Sequence, residues 1–222
     1  MKTTAFTFNF SLFTFSLFAF SLSPFSLFGQ NDRYTQVMLE TLEKLNHASG
    51  NEATLACAGQ FERIASAEKE LWLPYYYGAY SLIVLSFGET DGMKKDQILD
   101  RAQQNLDKAL GLNPHESELH ALQAFLYPSW VTVDPMARGM QYIEKMAESL
   151  KKAKTSNPEN PRALFLEAIH TLNMPPAMGG GPEIAKPIFE RADSIFTAFH
   201  NDNPLWPAWG KEVNKAELEK LQ

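Results

Sequence analysis

Two stretches of the chain share one pattern: RAQQNLDKALGLNP at residues 101–114 and KMAESLKKAKTSNP at residues 145–158. In both, small or apolar residues follow at steps of four and three, and a proline closes the stretch five residues later. These positions are Ala102, Leu106, Ala109 and Pro114 in the first stretch, and Met146, Leu150, Ala153 and Pro158 in the second. Such steps place side chains on one face of an α-helix, and proline cannot continue a helix. Each stretch therefore predicts a helix that packs by one face and ends at Asn-Pro.

The pattern belongs to an internal repeat. Asn-Pro recurs at residues 113–114, 157–158 and 203–204, at spacings of 44 and 46. The small residues Gly78, Ala124 and Ala168 recur at spacings of 46 and 44. Recurrence at a fixed period is typical of stacked structural units. A third helix pattern, with Ala185, Phe189 and Ala192, follows the last small residue.

These small–bulky–small helices ending in proline resemble the tetratricopeptide repeat. The resemblance implies an all-α fold, a right-handed superhelix of stacked antiparallel helix pairs. It covers roughly residues 70–200, with about three long helix pairs and flanking helices before and after. No run of alternating β-branched residues occurs, so no sheet is expected. A generic helical bundle is the alternative architecture.

The tetratricopeptide repeat is about 34 residues long, whereas the repeated positions of this chain are 44 and 46 residues apart. Each unit of this chain is therefore longer than the family's repeat. We expect the surplus to lie in enlarged turns between the two helices of each unit, at Phe87–Gln97, Pro128–Pro135 and Asn173–Glu183. In a stacked array these turns emerge on one edge, where binding often occurs.

The first 30 residues hold nine of the 16 Phe, one basic residue and no acidic one. One lysine, an apolar run and a small residue before a polar start indicate a secretory signal peptide, which we place at residues 1–29. The helical repeat domain is then residues 30–222, exported to the periplasm or secreted. No stable membrane insertion is expected after cleavage; an uncleaved membrane anchor is the alternative.

Charge and cysteine content narrow the function. Without residues 1–29 the net charge is 19 − 26 = −7, which argues against a nucleic-acid partner. Cys57 is the only cysteine, so no internal disulfide can form. The five histidines and the scattered carboxylates form no metal-binding or catalytic motif, so we expect no cofactor, no metal site and no enzymatic activity.

Aromatic side chains of the first helices are candidate binding residues. Tyr76 and Tyr80 lie four residues apart on one helical face, which Trp72 extends. Phe125 and Trp130 follow in the next unit. Such rings can line a ligand groove, because they combine apolar area with a polar contact. Core packing between stacked helix pairs is the more common role of such a ring.

A glycine-rich loop is the second candidate, with Met178, Gly179, Gly180 and Gly181. Backbone N–H groups before a helix could receive an anion, or the glycines could serve a tight turn. The segment from Pro175 to Ala192 is similar to the helical periplasmic component that accompanies some tripartite ATP-independent periplasmic transporters.

Two functions fit these features. The first is a non-catalytic exported scaffold that binds a protein or peptide partner. The alternative is a periplasmic protein that binds a small ligand or serves a transporter, using the aromatic first helix and the glycine-rich loop. An enclosed cavity lined by Tyr76, Tyr80, Phe125 or Trp130 would favour the second, and a flat exposed groove the first.

Overall fold

The computed structural model of the protein describes residues 25–221, with side chains from Asp32 onward. Most of the predicted signal peptide lies outside the described residues. Within them the fold is all-α, as predicted, and without strands. The helices are α1 (Phe25–Asn46), α2 (Asn51–Ala67), α3 (Trp72–Phe87), α4 (Gly92–Leu112), α5 (Ser117–Val131), α6 (Pro135–Ser156), α7 (Pro161–Asn173), α8 (Pro182–Ala198) and α9 (Lys211–Lys220).

Side-chain caps fix where the central helices begin. Asp91 accepts hydrogen bonds from the backbone N–H groups of the first turn of α4, and Asp134 does so for α6. Asn160 caps α7 in the same way. These bonds satisfy donors that have no partner inside the helix. At α6 and α7 a proline follows the cap, where its missing N–H costs nothing.

Consecutive helices pack as antiparallel neighbours. The Ser117 hydroxyl, at the start of α5, donates to the Ala153 carbonyl near the end of α6 at 2.8 Å. The first helices of successive pairs lie side by side, since the Asn160 amide at the start of α7 donates to the Ser117 hydroxyl at 2.9 Å. The right-handed superhelical sense that the repeat resemblance implies stays a prediction.

Small residues stand where helices approach closely. A methyl group on Gly78 would meet the Asn105 side chain of α4 at 3.1 Å. Ala109 and Ala153, the small residues of the repeated pattern, are completely buried. The repeated positions therefore mark the contact face, as the steps of four and three predict.

The prediction of three enlarged turns is wrong for two of them. Only four residues separate α3 from α4, and three separate α5 from α6. The surplus lies instead in longer second helices, because Asp91 and Asp134 begin α4 and α6 early. The turn between α7 and α8 is long, with eight residues and a short 3-10 helix, Pro176–Met178.

Buried side chains form two clusters that meet at the middle of the array. One joins α1–α5, and the other joins α5–α9. Phe125, Tyr127 and Trp209 pack against both. Trp209 lies in the segment between α8 and α9. We name residues 203–210 of this segment the C-terminal strap. Among the described residues no helix combines the length and hydrophobicity needed to cross a bilayer.

Candidate functional site

A cavity of about 470 Å³ opens where the C-terminal parts of α3, α5 and α7 meet the middle of α6, and we name it the apolar cavity. Its volume is within the usual range for a small-molecule site, about 300–1,000 Å³. The lining residues are Phe87, Phe125, Pro128, Val131, Tyr142, Ile143, Met146, Phe165, Leu166, Ile169, His170 and Asn173.

Nine of those twelve residues have apolar side chains, and only Tyr142, His170 and Asn173 carry polar groups. Met146 and Phe165 are buried and belong to the core. Phe87 is 56% exposed and Ile143 is 45% exposed, so large apolar side chains also face solvent. An apolar hollow with exposed apolar residues in its wall is a feature of ligand sites rather than of a closed core.

The polar groups of the wall are few and distinct. Partial burial lowers the pKa of His170, and the Glu167 carboxylate opposes that shift. The imidazole is therefore mostly neutral at pH 7, the form that can bind a metal. The Asn173 amide donates to the Ile169 carbonyl at 2.8 Å, which fixes its orientation. The Lys145 ammonium lies over the Tyr142 ring, 5.1 Å from the ring centre.

The aromatic residues predicted on α3 lie outside this cavity and contact the C-terminal strap. The Trp209 indole N–H donates to the Tyr76 hydroxyl at 2.7 Å. Trp72 meets Trp206 edge to face, with ring centres 5.7 Å apart. Burial raises the pKa of Tyr76 well above its ordinary value, so its hydroxyl stays protonated. The groove predicted along α3 is thus covered in part by the chain itself.

Three rings stack where the strap crosses the array. Trp209 lies 5.6 Å from Tyr80 and 5.1 Å from Phe125, with planes inclined by 21° in both pairs. Of the five predicted aromatic residues, only Phe125 lines the apolar cavity. Trp130 stacks on Tyr142 at 5.2 Å and supports the cavity wall from behind.

The glycine-rich loop does not contribute to the lining of the apolar cavity. Gly179 and Gly181 have φ values of 84° and 105°, which favour glycine. A methyl group on Gly180 would lie 2.2 Å from the Met174 carbonyl oxygen. Met178 is 70% exposed. These residues thus have conformational reasons to be glycine, and their role in binding stays a prediction.

Sequence reasoning missed most of the cavity wall. Phe87 is the last residue of α3 and Ile143 lies near the middle of α6, and neither belongs to a repeated position. His170 follows the apolar residues Phe165, Leu166 and Ile169, a setting typical of a core residue, but it is half-buried and lines the cavity. Large apolar residues outside the repeated positions, such as Phe87 and Ile143, are the signal that could have pointed to this site. Among the described residues no cluster of three or more His, Cys, Asp or Glu side chains could hold a metal ion.

The chain is similar to proteins of known structure. No protein-family model matches the chain, and no curated protein matches it. The resemblances to the tetratricopeptide repeat and to the transporter component therefore stay interpretations of the sequence. A solved structure, the HusA haemophore from Porphyromonas gingivalis, is similar over 87% of this chain and 95% of its own, with 30% identity and a TM-score of 0.78. At that identity and coverage, the chain belongs to the same family as the HusA haemophore.

Proposed function

We propose that the protein is an exported, non-catalytic carrier of a planar apolar macrocycle of the haem type, which it binds in the apolar cavity. The observation that carries the proposal is this half-open hollow of about 470 Å³ with nine apolar lining residues, in a chain related to a haemophore. The N-terminal apolar segment agrees with a role outside the cytoplasm.

The chemistry of the wall suits such a ligand. A porphyrin ring is flat and apolar, so its burial against Phe125, Phe165 and Leu166 removes a large apolar area from water. Its two carboxylates need a solvent-facing, cationic environment. Lys145, beside the Tyr142 ring, supplies a positive charge next to the wall.

Ring burial supplies most of the binding free energy in this proposal. Most of the residues in the wall are apolar, and His170 is the only histidine among them. Neutral His170 could approach the iron, as histidine does in many haem proteins. We nevertheless expect metal-free protoporphyrin to bind with a Kd within about threefold of that of haem, since area burial does not depend on the metal.

The proposal favours the small-ligand alternative over a protein or peptide partner. A peptide groove would be a long, shallow apolar surface, whereas the hollow here is local and of small-molecule size. The aromatic face of α3, which could have formed such a groove, is partly covered by the strap.

Titration of the purified protein with haem, followed by absorbance and tryptophan fluorescence, tests the proposal. We expect saturable binding that Ile143→Glu weakens by about tenfold, because a carboxylate in the wall replaces apolar area and repels the porphyrin carboxylates. Ile143 is 45% exposed, so the fold should tolerate the change.

Leu39→Glu is the matched control, since Leu39 is 41% exposed and lies on α1, outside the apolar cavity. Equal loss of affinity in both variants, or no saturable binding of either porphyrin, would contradict the proposal. Binding of haem but not of protoporphyrin, lost in His170→Ala, would show that iron coordination rather than ring burial provides the affinity.

A further inference from the structure

A second cavity of about 550 Å³ lies between α1, α3 and the C-terminal strap, and we name it the strap cavity. It shares no lining residue with the apolar cavity. Its walls are Leu39, Leu42, Glu43, Leu45 and Asn46 of α1, Tyr77 and Tyr80 of α3, and Pro204, Trp206, Ala208 and Trp209 of the strap. The carrier function proposed above makes no use of it.

Aromatic rings form one side of the strap cavity. Tyr77, Tyr80, Trp206 and Trp209 all line it, and Tyr80 and Trp209 are stacked on each other. Hydrogen bonds hold the rings in place: the Tyr77 hydroxyl donates to the Leu205 carbonyl at 2.9 Å, and the Trp209 indole donates to Tyr76 at 2.7 Å. Such a preformed wall can bind without reorganising.

The opposite side is apolar with one negative charge. Leu39, Leu42 and Leu45 follow at steps of three along α1 and present an aliphatic surface. Glu43 is the only charged residue in the wall, and the Asn46 amide lies one turn further on. A ring wall opposite a carboxylate favours a cation, because cations are attracted both to aromatic faces and to the negative charge.

The stack of Tyr80, Trp209 and Phe125 separates the two cavities. Phe125 lines the apolar cavity, while Tyr80 and Trp209 line the strap cavity. The two hollows also differ in charge, with Lys145 beside the first and Glu43 in the second. The charges beside them therefore favour ligands of opposite charge.

We propose that the strap cavity is a second small-molecule site, which takes an organic cation with a flat apolar body. The body lies between the leucines of α1 and the rings of the strap, and the cationic end faces Glu43. Anionic ligands such as porphyrin dicarboxylates are disfavoured there by the same carboxylate.

A matched pair of probes tests the proposal: 9-aminoacridine, a cation at neutral pH, and acridine, its uncharged analogue. We expect saturable binding of 9-aminoacridine, with an affinity about tenfold higher than that of acridine. Glu43→Gln should weaken the cation about threefold, a modest effect because this carboxylate is exposed, and should leave acridine unchanged.

Two lysine variants assign the site, since each puts a positive charge into one wall at an exposed position. Leu39→Lys should weaken 9-aminoacridine about tenfold, and Ile143→Lys should leave it unchanged. Protein saturated with haem should still bind the cation. The proposal is overturned if 9-aminoacridine does not bind saturably, if haem displaces it, or if Ile143→Lys removes its binding while Leu39→Lys does not. Haem binding can fail without affecting these outcomes.

Discussion

Arg162 is among the largest completely buried side chains of the described residues. Its guanidinium donates to both carboxylate oxygens of Glu118, at 2.5 and 2.7 Å, and the Asn160 amide donates to the same carboxylate at 3.1 Å. Burial raises the pKa of Glu118, and the Arg162 charge opposes that rise. This network joins the starts of α5 and α7, so it fixes how the pair α5–α6 packs against the pair α7–α8.

Arg162→Met should lower the free energy of unfolding by about 3–5 kcal/mol, because it leaves the Glu118 carboxylate buried without its cation. The double variant Arg162→Met/Glu118→Met should recover much of that loss, since no lone charge remains. Urea unfolding of the three proteins measures both effects. A double variant as unstable as the sum of the two single variants would contradict this explanation.

The Glu62 carboxyl makes the stability of the folded protein depend on pH, in a direction that its pKa defines. Burial raises the pKa of Glu62, but hydrogen bonds from Arg101 and Asn105 and the charges of Arg101 and Arg63 outweigh it, and the pKa lies below its ordinary value of 4.5. Because the pKa is lower in the folded state, the stabilisation is complete well above pH 4.5. It is lost as the pH falls through the folded-state pKa.

Glu62→Gln should therefore destabilise the protein at pH 7 by about 1 kcal/mol, a value reduced by the partial exposure of the pair. The difference from the parent should shrink as the pH falls toward 3, which urea unfolding at several pH values would measure. Glu190→Gln, at an exposed position of α8, is the control and should change little at any pH. A difference that is constant with pH would refute the assignment.

At the scale of the elements, the repeated small residues decide how closely helices cross. Ala153 of α6 is completely buried, and its carbonyl accepts from Ser117 of α5 at 2.8 Å. A large side chain has no room at such a crossing without separating the helices.

Ala153→Trp should thus lower the thermal unfolding temperature strongly, with a loss of about 3 kcal/mol or more, since it forces α6 away from its neighbours. Ala147→Trp, on the same helix but exposed, is the matched control and should cost less than about 0.5 kcal/mol. Thermal unfolding followed by circular dichroism compares the two. Equal stability of both variants would mean that no close crossing exists at Ala153.

The helix positions that the pattern predicted are borne out by their burial. Ala102, Leu106 and Ala109 are buried in α4, as are Met146, Leu150 and Ala153 in α6. Helix boundaries were less predictable, because Gly92 and Pro135 were interpreted as parts of turns. Each follows an aspartate cap, and the caps begin the helices there. The two aspartate caps are thus the signals in the sequence that predict the shorter turns.

Across the whole molecule, the C-terminal strap ties distant helices together. Trp209 contacts both Tyr80 of α3 and Phe125 of α5, and Arg162 of α7 lies 3.5 Å from the Trp209 carbonyl. One group of the strap lowers the stability: the Trp206 indole N–H is buried with no hydrogen-bond partner among the described residues. An unmet buried donor typically costs about 1–3 kcal/mol.

Trp209→Ala should lower the free energy of unfolding by about 2–4 kcal/mol, because it removes the stacked ring and the bond to Tyr76. Trp206→Phe should be neutral or slightly stabilising, since it keeps an aromatic ring and removes the unmet donor. Urea unfolding measures both. Equal destabilisation by the two changes would show that the contacts of Trp209 with Tyr80 and Phe125 contribute no more than those of Trp206.

The sequence by itself determined the helices and their buried faces, because apolar spacing and helix caps act over a few residues. It did not determine the cavities. The apolar cavity combines the C-terminal parts of α3, α5 and α7 with the middle of α6, and these segments are separated along the sequence. The strap reaches Tyr76 across 133 residues, so a ring that local pattern marks as groove lining becomes a partner of Trp209. Only the path of the folded chain decides which exposed rings remain for a ligand, because that choice depends on contacts between residues far apart in sequence.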